Sequence, residues 1–126
     1  MIEEIKKEEM KDPFLFKIKE DMENNPFGKA LILKKKEEII GYLYYSDIYE
    51  RIEINQFEIK EEFQHQGKGN FLLQEFLKRV QKDITLEVRE DNIPAIRVYE
   101  KNGFQKKAVR KGYYEGTDGI LMERKS

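Results

Sequence analysis

A glycine-containing segment between a strand pattern and a helical pattern has residues suited to binding phosphate. The segment is Gln64-His65-Gln66-Gly67-Lys68-Gly69-Asn70, which follows the apolar run Phe57-Glu58-Ile59 and precedes a helical repeat from Phe71 to Lys82. The free N–H groups of a helix's first turn attract anions, and the helix dipole adds to this attraction. The two glycines let the backbone approach a pyrophosphate without an intervening Cβ. The pattern therefore predicts a phosphate-binding turn, with a plain structural turn as the alternative.

The elements before this segment begin with one helix and two strands. Asp12 followed by Pro13 is typical of a helix start, and Phe14, Leu15, Ile18 and Met22 give that helix one apolar face. Two apolar runs, residues 30–33 and 39–45, then predict strands around a turn at residues 35–38. Residues 1–11 are strongly charged, and we expect them to fray.

The strand from Arg51 to Lys60 changes its pattern in the middle. Ile52 and Ile54 occupy even positions, whereas Phe57 and Ile59 occupy odd positions. A slip of one residue is what a β-bulge produces, and bulges often lie next to functional sites. We therefore predict a bulge near Asn55-Gln56; the alternative is a strand that changes its buried face.

Three more strands and one helix complete the chain. Residues 84–89 alternate as a half-buried strand, and Asp91-Asn92-Ile93-Pro94 begins a helix that ends at Asn102-Gly103. Residues 104–114 and 119–124 predict a closing hairpin through residues 115–118. This order predicts an α/β fold, in which helices cover both faces of one mixed, mostly antiparallel sheet.

Composition limits the class of protein. The 126 residues predict a single domain, residues 1–126, in which residues 1–12 are the segment expected to be disordered. The net charge of −1 argues against a dedicated nucleic-acid binder, which usually carries a basic stripe. The absence of cysteine excludes disulfides and a cysteine nucleophile. No segment resembles a signal peptide or a membrane span, so we expect a cytoplasmic protein without a membrane partner.

The second half of the chain resembles the GNAT superfamily of N-acetyltransferases. Residues 86–104, Leu-Glu-Val-Arg-Glu-Asp-Asn-Ile-Pro-Ala-Ile-Arg-Val-Tyr-Glu-Lys-Asn-Gly-Phe, are similar to that family's strand and asparagine-capped helix. Residues 64–69 match its acetyl-CoA signature, Gln/Arg-x-x-Gly-x-Gly/Ala. The resemblance covers about residues 13–126 and is greatest to the ribosomal-protein-alanine N-acetyltransferases, which acetylate a protein's α-amino group.

This resemblance implies a set of binding residues. Family members bind acetyl-CoA as a co-substrate where a bulged strand separates from its neighbour. Carried over, the backbone around Phe57, Glu58 and Ile59 would hold the pantetheine arm, and Gln64, His65, Gln66, Gly67, Lys68, Gly69 and Asn70 would cradle the pyrophosphate. Asn92 would contact the cofactor from the last helix. For His65, both phosphate contact and plain solvent exposure rank above catalysis.

The resemblance also implies two catalytic residues and no metal. Glu87 matches the proposed general base and Tyr99 the general acid for direct acetyl transfer to a primary amine. From alternation alone, Glu87 is a solvent-facing strand carboxylate, and Tyr99 could be a core aromatic. The function implied is an N-acetyltransferase that acts on a protein N-terminal α-amine. The alternatives are a small-molecule amine acetyltransferase and a non-catalytic acyl-CoA-binding module.

The chain departs from those alanine acetyltransferases in three places. They have an additional strand and helix before the helix that begins here at Pro13. The connection from Val80 to Ile84 is several residues tighter than theirs. The final hairpin lacks a short charged insertion after Gly119 and has Glu115 where a proline is expected. The first and third departures lie on the acceptor side, so the sequence predicts the cofactor and the reaction better than the acceptor.

Overall fold

The chain folds around one seven-stranded sheet. The computed structural model describes all 126 residues. The order of the strands across the sheet is β1-β2-β3-β4-β5-β7-β6. Only β4 and β5 run parallel, and every other neighbouring pair is antiparallel. The strands are β1 (Ile2–Ile5), β2 (Gly28–Lys35), β3 (Glu38–Ile48), β4 (Arg51–Ile59), β5 (Asp83–Arg89), β6 (Gln105–Tyr114) and β7 (Thr117–Arg124).

Three α-helices and three short 3-10 turns connect these strands. The helices are α1 (Phe16–Glu23), α2 (Lys68–Arg79) and α3 (Ile93–Lys101), and the 3-10 turns are Lys7–Glu9, Pro13–Leu15 and Glu61–Phe63. The longest helix, α2, has 12 residues, and none of the three has the length and apolarity needed to cross a membrane. The predicted fold class, a mixed and mostly antiparallel sheet with helices on both faces, is confirmed.

Two buried clusters occupy the two faces of the sheet. One face packs against α2 and α3, whose buried residues include Leu72, Phe76 and Ile96. The opposite face packs against α1 through Ile18 and Met22. Period-2 alternation divides β3 between these clusters: Leu43 and Tyr45 belong to the first, whereas Tyr42 and Tyr44 belong to the second.

The expectation that the first residues fray is wrong for Ile2–Ile5, which form strand β1. This strand pairs antiparallel with β2, with Ile2 opposite Leu33 and Ile5 opposite Ala30. Ile5 and Met10 are buried in the α1 cluster. The charges of this segment do not oppose the strand, because an edge strand can leave alternate side chains in solvent. The chain order therefore begins with a strand rather than with a helix.

The predicted bulge in β4 is confirmed. Tyr44 of β3 lies opposite Gln56, and the next residue, Tyr45, lies opposite Ile54, so Asn55 is the extra residue. Because of this insertion, Ile54 and Phe57 face the same α2 and α3 cluster despite their odd spacing. The alternative, a strand that changes its buried face, does not apply.

Side chains at the helix starts behave as their positions in the sequence predict. Asp12 Oδ1 accepts a hydrogen bond of 3.0 Å from the Phe14 N–H before the first 3-10 turn. Asn92 Oδ1 accepts one of 3.3 Å from the Ala95 N–H at the start of α3. Each satisfies an N–H group that has no partner within its helix.

Candidate active site

The first turn of α2 presents free N–H groups. Gly67 is the residue before the helix, and its φ of +78° is in the left-handed region that favours glycine. No side chain caps this helix, and its first backbone bond runs from Phe71 to the Gly67 carbonyl at 3.0 Å. The N–H groups of Lys68, Gly69 and Asn70 therefore point away from the helix without an acceptor. Together with the helix dipole, they form an anion-binding position.

Strands β4 and β5 separate at the bulge in β4. Their parallel pairing runs from Arg51 opposite Asp83 to Ile54 opposite Leu86, and then stops at the bulge. Beyond the bulge, Phe57 and Ile59 pair only with β3 on their other side. The β4 backbone over Phe57–Ile59 therefore has an edge toward β5 without a strand partner, which suits an extended ligand. On this edge the Ile59 carbonyl already accepts a hydrogen bond of 2.8 Å from Gln64 Nε2.

A cavity of about 380 Å³ connects the open strand edge to the first turn of α2. Ten of the eleven residues predicted to bind the cofactor line it: Phe57, Glu58, Ile59, Gln64, His65, Gly67, Lys68, Gly69, Asn70 and Asn92. The eleventh, Gln66, does not line it; its side chain is exposed and donates a hydrogen bond to the Glu62 carbonyl at 3.3 Å. We name this space the first cavity.

Glu58 lines the first cavity, but its carboxylate is engaged elsewhere. Lys17 Nζ lies 2.8 Å from both of its carboxylate oxygens. Because Lys17 is on α1, this contact lies on the opposite face of the sheet from α2. A contribution of Glu58 to ligand binding in the first cavity is therefore limited to its backbone.

Tyr99 lies at the wall of the first cavity on α3. Its side chain packs at ring-centroid distances of 6.4 Å from Phe57 and 5.6 Å from Phe104, and the residue is only 9% exposed. Burial, and secondarily the nearby Tyr114, raises the pKa of Tyr99 to about 12. The phenol therefore stays protonated, and able to donate a hydrogen bond, throughout the neutral range.

Glu87 lies on the other face of the sheet, in a second cavity of about 670 Å³. Its neighbours in β5, Leu86 and Val88, belong to the cluster that contains Tyr99, so alternation directs Glu87 to the α1 side. Both of its carboxylate oxygens are buried and accept no aligned hydrogen bond. Arg110 Nε lies 2.7 Å from Oε1, but since the N–H is not directed at the oxygen, we describe this contact as an ion pair.

The two residues predicted to be catalytic therefore line different cavities. The first cavity contains Tyr99 and the residues of β4 beyond the bulge, whereas the second contains Glu87 and the residues of β4 up to the bulge. The two spaces approach each other where β4 and β5 separate. A reaction that uses both side chains must take place in this gap.

The second cavity also contains residues that the sequence did not identify as functional. Tyr44 donates its hydroxyl to Asp21 and accepts a hydrogen bond of 2.9 Å from Asn25. At the bulge, Asn55 Nδ2 donates to Ser46 Oγ at 2.8 Å. These contacts join α1, β3 and β4, so no short sequence pattern could reveal them. The lining residues are Lys17, Asp21, Tyr44, Glu53, Ile54, Asn55, Gln56, Thr85, Leu86, Glu87, Arg110, Tyr113, Tyr114 and Leu121.

Tyr113 and Tyr114 close one side of the second cavity. They are the last residues of β6, and their rings pack edge to face with centroids 4.8 Å apart. The pKa of Tyr114 is raised, chiefly by burial and further by Tyr113 and the Glu87 carboxylate. No group of three or more histidine, aspartate or glutamate side chains is arranged to hold a metal ion.

Comparison with known proteins agrees with this architecture. The model of the acetyltransferase (GNAT) family matches residues 1–104. A Bacillus subtilis (strain 168) protein, described provisionally as a ribosomal protein bS18-alanine N-acetyltransferase, is 31% identical over 118 residues, which cover 89% of this chain and 76% of the relative.

Two solved structures share the fold. The ribosomal-protein-S18-alanine N-acetyltransferase from Escherichia coli superposes with a TM-score of 0.89 at 20% identity, over 99% of this chain and 92% of that one. A GNAT family acetyltransferase from Elizabethkingia anophelis with acetyl-CoA bound superposes with a TM-score of 0.85 at 23% identity, over 100% and 97% of the two chains. The match to the family model, the relative and the shared fold agree: the chain belongs to the GNAT family of acetyltransferases.

Proposed function

We propose that this chain is an acetyl-CoA-dependent N-acetyltransferase that transfers the acetyl group directly to the α-amine of a protein N-terminus. The observation that carries the proposal is the gap between β4 and β5. An anion-binding helix turn and Tyr99 lie on one side of this gap, and Glu87 lies on the other. Two reactants that enter from opposite faces of the sheet would meet there.

The residues of the first cavity fit acetyl-CoA, which supplies the acetyl thioester. The free N–H groups of Lys68, Gly69 and Asn70 suit a pyrophosphate. The unpaired β4 edge over Phe57–Ile59 offers backbone hydrogen bonds to an extended amide-containing arm. Asn92 lines the same cavity while it caps α3, so it would hold the ligand at a second helix start.

We assign to Glu87 the role of accepting a proton from the amine. An α-amine has an unperturbed pKa of about 7.7 to 8.0, so much of it is protonated at neutral pH and must lose a proton before it attacks. A carboxylate in the acceptor cavity can take that proton directly or through one water. No other carboxylate of β5 lines this cavity.

We propose that Tyr99 stabilises the departing sulfur. A thiol has a pKa of about 8.5, whereas the pKa of Tyr99 is raised to about 12. Complete proton transfer from this phenol to a thiolate is therefore unfavourable by several pKa units. We assign to Tyr99 a hydrogen bond donated to the sulfur as negative charge develops there, a form of electrostatic stabilisation.

The second cavity has room for the first residues of an acceptor peptide. Its volume of about 670 Å³ is within the range of about 300 to 1,000 Å³ that is typical of small-molecule sites, so its size suits a peptide N-terminus and a small amine equally. It lies between α1 and the β6–β7 hairpin. The description of the Bacillus subtilis relative as an alanine N-acetyltransferase of a ribosomal protein supports an N-terminal acceptor. The alternatives are a small-molecule amine acceptor and an acyl-CoA-binding module without turnover.

Release of CoA thiol on addition of different acceptors distinguishes these functions. The acceptors are a lysine-free peptide that begins with alanine, the same peptide with a blocked N-terminus, and a set of small amines. The proposal predicts thiol release with the free peptide and none with the blocked one. Release with small amines alone would favour the first alternative. Acetyl-CoA binding without release from any acceptor would favour the second.

A further inference from the structure

The carboxylate of Glu87 is closed to an acceptor in the free protein. Both oxygens are buried, and the only cation in contact with them is Arg110, whose Nε lies 2.7 Å from Oε1. An amine cannot reach these oxygens until a neighbouring group moves. The other carboxylates that line the cavity have partners: Asp21 accepts from the Tyr44 hydroxyl, and Glu53 pairs with Arg51 at 2.6 Å.

Arg110 belongs to a segment that can release it. Its side chain is 56% exposed, and its guanidinium lies 5.4 Å from the centre of the Tyr113 ring. Strand pairing between β6 and β7 is interrupted directly after Arg110 and resumes only at Tyr114 opposite Thr117. Within the interruption, Gly112 has a φ of +63°. The Gly112 N–H donates to Asp118 Oδ1 at 2.9 Å, and Arg110 itself pairs with Gly119, so the backbone is held in place. The largely exposed Arg110 side chain can therefore move to solvent while the β6 backbone keeps its position.

We infer that Arg110 occupies the position of the acceptor's ammonium group at Glu87, and that the acceptor must displace it. The exchange replaces one cation by another, so the buried carboxylate is never left without a counter-charge. A neutral acceptor, such as an alcohol or a blocked N-terminus, offers nothing to replace the guanidinium. The selectivity for cationic amines then comes from Glu87, and Arg110 weakens their binding because it competes for the same carboxylate. This inference rests on the proposed function.

The test measures peptide binding in the absence of turnover. Calorimetry is carried out on the protein saturated with CoA, which carries no acetyl group, using an alanine-starting peptide with a free or a blocked N-terminus. Because Arg110 competes with the amine, Arg110→Gln should bind the free peptide about two to five times more tightly than wild type. Its affinity for the blocked peptide should not change.

Lys107→Ala is the matched control. Lys107 is on the same strand and pairs with Glu123 at 3.4 Å, outside the second cavity, so its removal deletes one positive charge without freeing Glu87. This variant should bind both peptides as wild type does. Arg110→Ala, checked for folding by thermal unfolding, serves as a second variant and should show the same gain as Arg110→Gln.

Several results would overturn the inference. If both Arg110 variants bind the free peptide more weakly than wild type or equally well, Arg110 does not compete with the amine. An equal gain for free and blocked peptides would show that it closes the cavity without regard to charge. Wild-type protein that binds no peptide in either form would exclude an N-terminal ammonium as the displacing group. The proposed function fails separately, if wild type binds the free peptide but transfers no acetyl group to it.

Discussion

Glu87 and Tyr99 are both enclosed by protein, but the chemical effects of enclosure differ. Burial favours the neutral form of the Tyr99 phenol and raises its pKa to about 12. The Glu87 oxygens are also buried, but a guanidinium lies beside them. One residue is thereby kept as a hydrogen-bond donor, and the other lies beside a counter-charge.

Glu87→Gln tests the role of the base. We expect kcat to fall by about 100-fold or more, since an amide cannot accept the amine's proton. The loss should grow as the pH falls from about 8 to 6, because a larger fraction of the amine is then protonated. Steady-state thiol release across this pH range measures the effect. Glu53→Gln, another carboxamide substitution in the second cavity, is the control. A pH profile parallel to that of wild type would assign the proton to water or another group.

Tyr99→Phe tests the role of the phenol. The ring remains in its packing position, so acetyl-CoA affinity should stay within about twofold while kcat falls about tenfold or more. Tyr45→Phe is a matched control, because Tyr45 is also buried in the α2 and α3 cluster with a pKa raised to about 12 but does not line either cavity. Equal effects of the two substitutions on kcat would indicate that Tyr99 acts only through packing.

Site residues that stand together in one short segment could be predicted from the sequence. Site residues that only folding brings together could not. The glycines and lysine of residues 64–70 stand in one short segment, and ten of the eleven predicted binding residues line one cavity. Alternation alone favoured a solvent-facing Glu87, whereas its oxygens are buried. Arg110 could not be predicted as its partner, because their contact depends on the register of β6 and β5 against β7.

At the scale of elements, the bulge in β4 determines the geometry of the site. The extra residue, Asn55, ends the pairing with β5 while it keeps Ile54 and Phe57 on one face. The change of the apolar residues from even to odd positions was sufficient to predict this bulge, since a strand with one buried face has a strongly specified register. Strand β1 was not predicted, because four residues with two glutamates give little periodic signal.

Gly67→Glu tests the first turn of α2 as the phosphate site. The substitution places a negative charge beside the free N–H groups and forces a side chain into a left-handed φ of +78°. We expect acetyl-CoA affinity to fall by at least about tenfold, measured by calorimetry. Gly116→Glu is the control, because Gly116 has a φ of +87° in the β6–β7 turn, with open space around it. If the two folded variants bind acetyl-CoA equally well, this turn is not the phosphate site.

At the scale of the whole molecule, buried tyrosines link stability to alkaline pH. Burial raises the pKa of Tyr44 and Tyr45 to about 12 and also raises that of Tyr42. Tyr99 behaves in the same way. All four lie in the two clusters that hold the helices against the sheet. In the unfolded chain their pKa returns to about 10.

The free energy of unfolding should therefore decrease as the pH rises from about 10 to 12. In this range the unfolded chain loses phenolic protons that the folded chain retains, so the unfolded state is favoured by up to about 1.4 kcal/mol per pH unit for each such tyrosine. Below pH 10 these groups are neutral in both states and contribute no slope. Urea unfolding between pH 8 and 11.5 measures the effect, and Tyr45→Phe should reduce the slope. A free energy of unfolding that is independent of pH above 10 would contradict this prediction.

The order of the predicted helices and strands along the chain was sufficient to predict the overall architecture. Strands separated by α2 and α3 indicated a mixed sheet with covered faces, and only β4 and β5 proved parallel. The position of the parallel pair could not be read from either strand alone, because it depends on which edges remain free after the antiparallel hairpins form. That pair is the place where the sheet opens.

A calorimetric titration of the wild-type protein with acetyl-CoA measures whether the gap between β4 and β5 binds this co-substrate. We predict saturable binding of one acetyl-CoA per chain, with CoA competing for the same site. Addition of an alanine-starting peptide to the saturated protein should then release CoA thiol. If the folded protein does not bind acetyl-CoA, the first turn of α2 and the gap between β4 and β5 have no more than a structural role, and the proposed function is wrong.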